Sequence, residues 1–142
     1  MLDRAWIAAR IPHQGAMCLL ERVDDWSPEG LRATAVSHRN VDNPLRAAGR
    51  LGIANGIEYA AQAMAVHGAL VAGVNERPRQ GFLASVRGVE LHTDRLDVAE
   101  DLDIRVERLS GDANNVLYQF TVRAGERLLL EGRGAVILDS AA

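Results

Sequence analysis

Apolar and polar side chains in the first third of the chain predict a short helix, a hairpin and a loop. Residues 2–11 carry apolar side chains at helical spacing, which predicts a short helix that Pro12 ends. Residues 17–26 and 31–38 flank a Ser-Pro-Glu-Gly turn signal and predict the two strands of a hairpin. Residues 39–50 mix Asn, Asp, Pro and Gly in irregular order. They predict a loop that packing or function keeps ordered.

The longest apolar stretch covers residues 51–74 and predicts a helix. Apolar residues recur in it at intervals of three and four, among them Ile53, Ile57, Ala61, Met64 and Val71. The other faces carry mostly Ala, Val and Gly, so we expect the helix to be buried on most sides. Polar residues interrupt it and argue against a membrane span, namely Asn55, Glu58, Gln62 and His67.

Further apolar runs follow a polar loop at residues 75–81 and predict strands. They are residues 82–91, 101–110, 115–123 and 127–138. Strands on both sides of one helix favour an α+β fold with an antiparallel sheet. A curved antiparallel sheet wrapped around one long central helix would cover the apolar helix. That is the hotdog fold, although the pattern by itself does not single it out. We expect residues 1–142 to form one domain.

Composition and charge exclude several classes of protein. The formal net charge is −3 and aromatic residues make up 4%, so we expect neither a basic field nor a stacking surface for nucleic acid. The chain has no lysine, which excludes Schiff-base chemistry. Cys18 is the single cysteine, so an intrachain disulfide is excluded. We expect Cys18 to be a small core residue. No long apolar segment opens the chain, so we expect a cytoplasmic protein without a membrane span.

Glu58 is the acid within the predicted central helix. Its neighbours are apolar, and a buried carboxylate there must be paired, protonated or used. Desolvation would favour the protonated form, which suits a general acid. A structural glutamate bonded to Gln62 or to Arg50 is an equally open interpretation.

The histidines offer one candidate base and no metal site. His13 lies in a constrained loop beside Pro12 and Gly15, where it is either a base near neutral pH or a surface histidine. His67 follows Glu58 by nine residues, which turns it to the opposite side of the helix. We interpret His67 as a satisfied core or interface histidine. The histidines show no paired spacing, so we predict no metal.

Two segments resemble motifs of a known family. The segment PHQGAMCLLERVDDW at 12–26 is similar to the opening motif of the 3-hydroxyacyl-ACP dehydratases, which reads roughly PHRxPxLLVDRV. The segment GIEYAAQAMAVHG at 56–68 is similar to that family's central-helix motif, in which a catalytic acid precedes an alanine–glutamine pair. The strands at 81–109 also resemble the family's, in the same order. Within the family, the chain is most similar to the divergent dehydratases of aryl-polyene-type gene sets.

The resemblance implies a hotdog protein that removes water from a 3-hydroxyacyl thioester. The substrate would be carried on the phosphopantetheine of an acyl carrier protein or of CoA, with no other cofactor. The family's members are usually dimers, and a homodimer, a heterodimer or a larger assembly fits. In the family a histidine takes the α-proton, the helix acid protonates the leaving hydroxyl, and N–H groups at the helix start polarise the thioester carbonyl. The resemblance implies that the acid on this chain is Glu58.

The chain departs from the family at the usual base. The family's histidine lies in a GHFP motif, and Asn43-Pro44 stands in that place here. His13 matches a family histidine near the pocket mouth, and we expect it to act as the base instead. The residues expected to bind substrate are Asn43, Pro44, Gly52, Ile53 and Gln62.

Two alternatives to the dehydratase stay open. The first is a thioesterase in which Glu58 activates water or acts as the nucleophile. The second is a non-catalytic acyl-binding or heterodimer subunit, which the missing family histidine favours.

Overall fold

The computed structural model describes residues 1–11, 13, 15–73, 81–112 and 114–138. Its α-helices are α1 (Arg4–Ala8) and α2 (Gly56–Ala72). Its strands are β1 (Leu2–Asp3), β2 (Arg22–Ser27), β3 (Gly30–Ala35), β4 (Gly81–Leu91), β5 (Leu102–Gly111), β6 (Asn115–Ala124) and β7 (Arg127–Leu138). Short 3₁₀ turns lie at Gly15–Met17, Ser37–Arg39 and Ile53–Asn55.

The strands form one antiparallel sheet in the order β1-β2-β3-β5-β6-β7-β4. The helix α2 crosses this sheet and contacts β3, β5 and β6 most extensively. The predicted α+β hotdog fold, with an antiparallel sheet and one long helix, is therefore confirmed. Strand β4 directly follows α2 in sequence, yet it lies at the far edge of the sheet beside β7.

The sheet buries one face of α2 and leaves another half-exposed. Tyr59, Ala63 and Val66 are fully buried against the strands. In contrast, Ala61 and Ala65 are partly exposed, and Val71 near the end of the helix is 46% exposed. The expectation that the helix is buried on most sides therefore holds only in part for the single chain, because the face that carries Ala61 and Ala65 is half-buried. Cys18 lies in the core as predicted, at 1% exposure.

The N-terminal elements are shorter than their apolar patterns suggest. The predicted helix at 2–11 begins as a strand paired with β2 and becomes helical only at Arg4, where the Asp3 carboxylate caps the Trp6 N–H at 2.9 Å. Pro12, expected to end this helix, lies outside the described residues. The strand predicted at 17–26 begins at Arg22, because side chains bind the backbone of the preceding residues.

The central helix and its flanking loops follow the predictions with small shifts. Residues 53–55 form a 3₁₀ turn, and the α-helix runs from Gly56 to Ala72. The predicted loop at 39–50 is confirmed, whereas residues 74–80 of the second predicted loop lie outside the described residues. Among the residues that the structure describes, no helix is long and apolar enough to cross a membrane.

Candidate active site

The candidate base and the candidate acid meet within one chain. The Nε2 atom of His13 lies 3.3 Å from Oε1 of Glu58. The two side chains are 28% and 39% exposed, so the pair is accessible to a substrate. A neutral imidazole and a carboxyl group at this distance can exchange a proton directly.

Glu58 lies at the start of α2 rather than deep inside it. The helix begins at Gly56, so the carboxyl group belongs to the first helical turn. The expected desolvation is not found, because the side chain is more than a third exposed. The structural pairing with Gln62 is also absent, since both polar atoms of Gln62 bind elsewhere.

Gln62 holds the backbone of the segment that follows His13. Its side chain is fully buried. The Nε2 atom donates to the Met17 carbonyl at 2.7 Å, and Oε1 accepts from the Leu19 N–H at 2.9 Å. These bonds occupy both ends of the amide, so the structure supports a scaffold role for Gln62 in place of the expected contact with substrate.

Asn43 belongs to a buried network beside the site. Its amide nitrogen donates to the Ser37 carbonyl at 2.9 Å and to the Tyr59 hydroxyl at 3.0 Å, and its Oδ1 accepts from the Leu45 N–H at 2.8 Å. The residue is 6% exposed. Asn43 therefore ties the loop at 37–45 to α2, and its role in substrate binding stays a prediction. Its neighbour Pro44 is exposed.

The entrance to α2 is joined to the segment after β4. The Ile53 N–H donates to the Asp94 carbonyl at 3.1 Å, and Gly52 forms an isolated bridge with Arg95. The Ile53 N–H is therefore already engaged, and its side chain is 7% exposed. Gly52 is half-buried and remains a candidate for contact with substrate.

Two further histidines are buried and structural. His67 binds the Tyr118 hydroxyl through Nδ1 and the Ser27 carbonyl through Nε2, both at 2.8 Å, which confirms it as a satisfied core histidine. His38 binds the Glu100 carbonyl through Nε2 at 2.8 Å. Burial lowers the pKa of both histidines below the ordinary value of 6.5. Both are therefore poor carriers of a proton in the folded chain.

A cluster that the sequence did not indicate lies at the end of β4. Single ligand atoms of Glu90, His92 and Glu131 lie within 4.8 Å of one another. His92 Nε2 is 3.1 Å from the Glu131 carboxylate, and both side chains are substantially exposed. Glu90 and Glu131 are cross-strand partners, so a strand register would have been needed to find the cluster. The contact between His92 and Glu131 is a second histidine–glutamate pair, and variants of it can serve as controls for variants of His13 and Glu58.

The cavity found on the sheet is separate from the acid–base pair. Its volume is about 490 Å³, and residues of β2, β3, β5 and β6 line it, including Trp26, Arg32, Arg105, Gln119 and Arg123. Arg32 and Arg105 both contact Asp103, which offsets part of their charge. Because neither His13 nor Glu58 lines it, we assign it no part in the chemistry.

Comparisons with known proteins agree with the fold. No curated protein matches the chain. Among solved structures, the dehydratase heterocomplex ApeI:P from Xenorhabdus doucetiae is similar with a TM-score of 0.83, 22% identity and coverage of 94% of this chain and 91% of that one. A thioesterase from Haemophilus influenzae has a TM-score of 0.60 and 14% identity over 83% and 77% of the two chains. A mutant thioesterase from Pseudomonas aeruginosa has a TM-score of 0.61 and 13% identity over 82% and 79%.

The family model provides stronger evidence than these structures. The model described as ApeP dehydratase matches residues 5–140, which is nearly the whole chain and includes both His13 and Glu58. The chain belongs to the ApeP-like dehydratase family.

Proposed function

We propose that this dehydratase removes water from a 3-hydroxyacyl thioester, with His13 as the base and Glu58 as the acid. The observation that carries this assignment is the 3.3 Å contact between His13 Nε2 and Glu58 Oε1. Family membership supports the reaction type. The usual family histidine is missing, and His13 is the histidine that lies beside the acid.

The contact also supports a balanced proton cycle. His13 takes the proton from Cα of the substrate, and Glu58 gives a proton to the hydroxyl at Cβ, which leaves as water while the double bond forms. This leaves an imidazolium beside a carboxylate, whose opposite charges stabilise one another. Transfer of the proton from His13 to Glu58 restores the starting state. Because the two groups touch, this return needs no solvent molecule.

The start of α2 supports binding of the thioester carbonyl. The positive end of the helix dipole lies at this start, two residues before Glu58. Oxygen carrying partial negative charge is stabilised there. The Ile53 N–H is not the donor, because it binds the Asp94 carbonyl.

We propose that the substrate is presented by a phosphopantetheine arm, either on acyl carrier protein or in CoA, in the cytoplasm.

We also propose that a second hotdog subunit pairs with this chain. Strand β4 has β7 as its neighbour on one side, and none of the described strands pairs with its other edge. Near this edge Val86, Leu91 and Ile137 are 37%, 48% and 46% exposed. An edge of this length with apolar side chains favours pairing with another chain. The similar heterocomplex from Xenorhabdus doucetiae makes a different hotdog subunit as reasonable a partner as a second copy.

The decisive experiment incubates the protein with a 3-hydroxyacyl carrier substrate and follows products by mass. We expect loss of water in the wild type and its suppression in His13→Ala and in Glu58→Gln. His92→Ala and Glu131→Gln are matched controls, because they break an exposed histidine–glutamate contact elsewhere. Release of free thiol without a water-loss product would indicate the thioesterase instead. Turnover that appears only after a second hotdog subunit is added would indicate the heterodimer subunit. Unchanged rates in both site variants would exclude the assignment.

A further inference from the structure

We propose that Gln62 and Arg4 are positioning residues that hold residues 15–19 so that His13 stays beside Glu58. This inference rests on the proposed acid–base role of the pair. It concerns side chains that would touch neither the substrate nor the reacting atoms.

Gln62 fixes the segment from the side of α2. It follows Glu58 by four residues, so the two side chains share one face of the helix about one turn apart. Glu58 contacts His13, while Gln62 contacts the backbone of Met17 and Leu19. His13 and residues 15–19 therefore lie along this face of the helix, and their position relative to Glu58 depends on the Gln62 amide.

Arg4 fixes the same segment from α1. Its guanidinium nitrogen donates to the Gly15 carbonyl at 3.0 Å and to the Cys18 carbonyl at 2.9 Å. Gly15 has a φ of +56°, so the chain turns sharply there, next to the candidate base. Cys18 and Leu19 lie outside the strands, so these side chains supply hydrogen bonds that a sheet would otherwise give to this part of the backbone.

Replacing Gln62 removes hydrogen bonds from the backbone as well as packing from the core. Its removal leaves the Met17 carbonyl and the Leu19 N–H without their partner in a buried region. The segment is expected to shift until these groups find water or another partner. A displacement of the order of 1 Å at a reacting group is enough to slow a reaction by about a hundredfold. The positioning role therefore predicts a loss in kcat beyond any loss in stability.

The first test compares Gln62→Met with His67→Leu. Both residues are buried on α2 and make two hydrogen bonds, but His67 binds Ser27 and Tyr118. We expect both variants to unfold at lower urea concentration than the wild type. Gln62→Met should also lower kcat about tenfold or more while changing KM little, whereas His67→Leu keeps the wild-type kcat. Equal kcat values in the two variants would overturn the inference for Gln62.

The second test uses Arg4, which is exposed and can be replaced without disturbing the core. We expect Arg4→Met to lower kcat by several-fold to about tenfold, and Arg4→Lys to restore part of it. An ammonium group can still donate to the carbonyls that Arg4 holds. A folded Arg4→Met variant with the wild-type kcat would remove Arg4 from the proposal.

A readout without turnover separates this inference from the proposed function. Ring resonances of His13, assigned by their loss in His13→Ala, are expected to move when Glu58→Gln is introduced into the wild type. In the Gln62→Met and Arg4→Met backgrounds this response should be much smaller. A response of wild-type size in both backgrounds would overturn the positioning role. If the wild type proved inactive as a dehydratase, the resonances would still decide whether the two side chains position His13.

Discussion

His13 Nε2 lies 3.3 Å from Glu58 Oε1, and both residues belong to the same chain. The acid comes from the first turn of α2, and the base comes from the segment between α1 and β2. One subunit therefore contains both of the groups proposed to exchange protons with the substrate. Because the two side chains touch, we expect them to behave as one catalytic unit.

The first prediction concerns the additivity of two substitutions. His13→Ala and Glu58→Gln should each lower kcat by about 10²–10⁴, which is the usual contribution of general acid–base catalysis. The double variant should be little slower than the slower single variant, because either change disables the shared proton cycle. Steady-state rates for the four proteins measure this directly. A double variant whose loss is the product of the single losses would show that the two groups act independently.

The second prediction concerns Asn43, at the place of the missing family histidine. Asn43→His should lower the free energy of unfolding by about 1–3 kcal/mol, because a neutral imidazole has one donor and one acceptor. It cannot replace the three hydrogen bonds that Asn43 makes to Ser37, Leu45 and Tyr59. Denaturation in urea measures the loss. The same change at Asn40, an exposed residue of the same loop, should leave stability nearly unchanged.

The same variant tests the location of the base. In a His13→Ala background, Asn43→His should not restore activity, because this position faces Tyr59 within the chain. Recovery of activity would instead show that position 43 of a neighbouring subunit reaches Glu58. The base would then come from across an interface.

The apolar runs in the second half of the chain predict β5, β6 and β7 nearly to the residue. Each of these strands has a neighbouring strand on both sides. Its side chains therefore keep to the same two faces of the sheet along its whole length, which makes its bounds visible in the sequence. The start of β2 could not be predicted in this way. Its preceding residues are apolar and buried, as in a strand, but side chains from distant parts of the chain bind their backbone.

In the candidate site too, some features follow from the local sequence and others depend on contacts between distant residues. The choice of His13 and Glu58 came from residue types and a family resemblance, and the structure brings these two together. The substrate-binding roles expected for Gln62 and Asn43 stay predictions, because a polar residue in a motif can bind substrate or backbone equally well. Only the three-dimensional contacts separate these roles: Gln62 binds a segment 43 and 45 residues away in sequence.

The third prediction concerns pH and the buried histidines. Burial lowers the folded-state pKa of His67 and His38 below 6.5, so the unfolded chain binds protons that the folded chain does not. Their contribution to stability is complete above pH 6.5 and is lost as the pH falls toward the folded-state pKa. Each histidine adds a slope of up to about 1.4 kcal/mol per pH unit in this window.

Urea unfolding at pH 7.5, 6.5 and 5.5 (chosen to span roughly one unit on either side of the ordinary pKa) measures this slope. His67→Gln should flatten it, because the amide can bind the Ser27 carbonyl and the Tyr118 hydroxyl without titrating. Gln62→Met is the matched control on the same helix. It should lower stability by a similar amount at each pH and leave the slope intact. Equal slopes in His67→Gln and the wild type would contradict the assignment.

The last prediction concerns the glycine that begins α2. A Cβ atom at Gly56 would lie 2.5 Å from one methyl group of Leu130 and 3.0 Å from the other, and Leu130 is fully buried in β7. Overpacking of this kind costs about 1–3 kcal/mol, whereas alanine in place of glycine in a helix gains about 1 kcal/mol. The clash is the larger effect, so Gly56→Ala should lower the free energy of unfolding. It should also lower kcat, because relief of the clash moves the first turn of α2 and with it Glu58.

Gly68 provides the matched control for this substitution. It lies on the same helix, and a Cβ atom there would have no neighbour within 4 Å. Gly68→Ala should therefore raise the free energy of unfolding by about 0.4–1 kcal/mol and leave kcat unchanged. If Gly56→Ala kept the wild-type kcat despite its lower stability, the position of the first helical turn would not limit the reaction. Proton transfer between His13 and Glu58 would then tolerate a displaced carboxylate, which the short contact between them argues against.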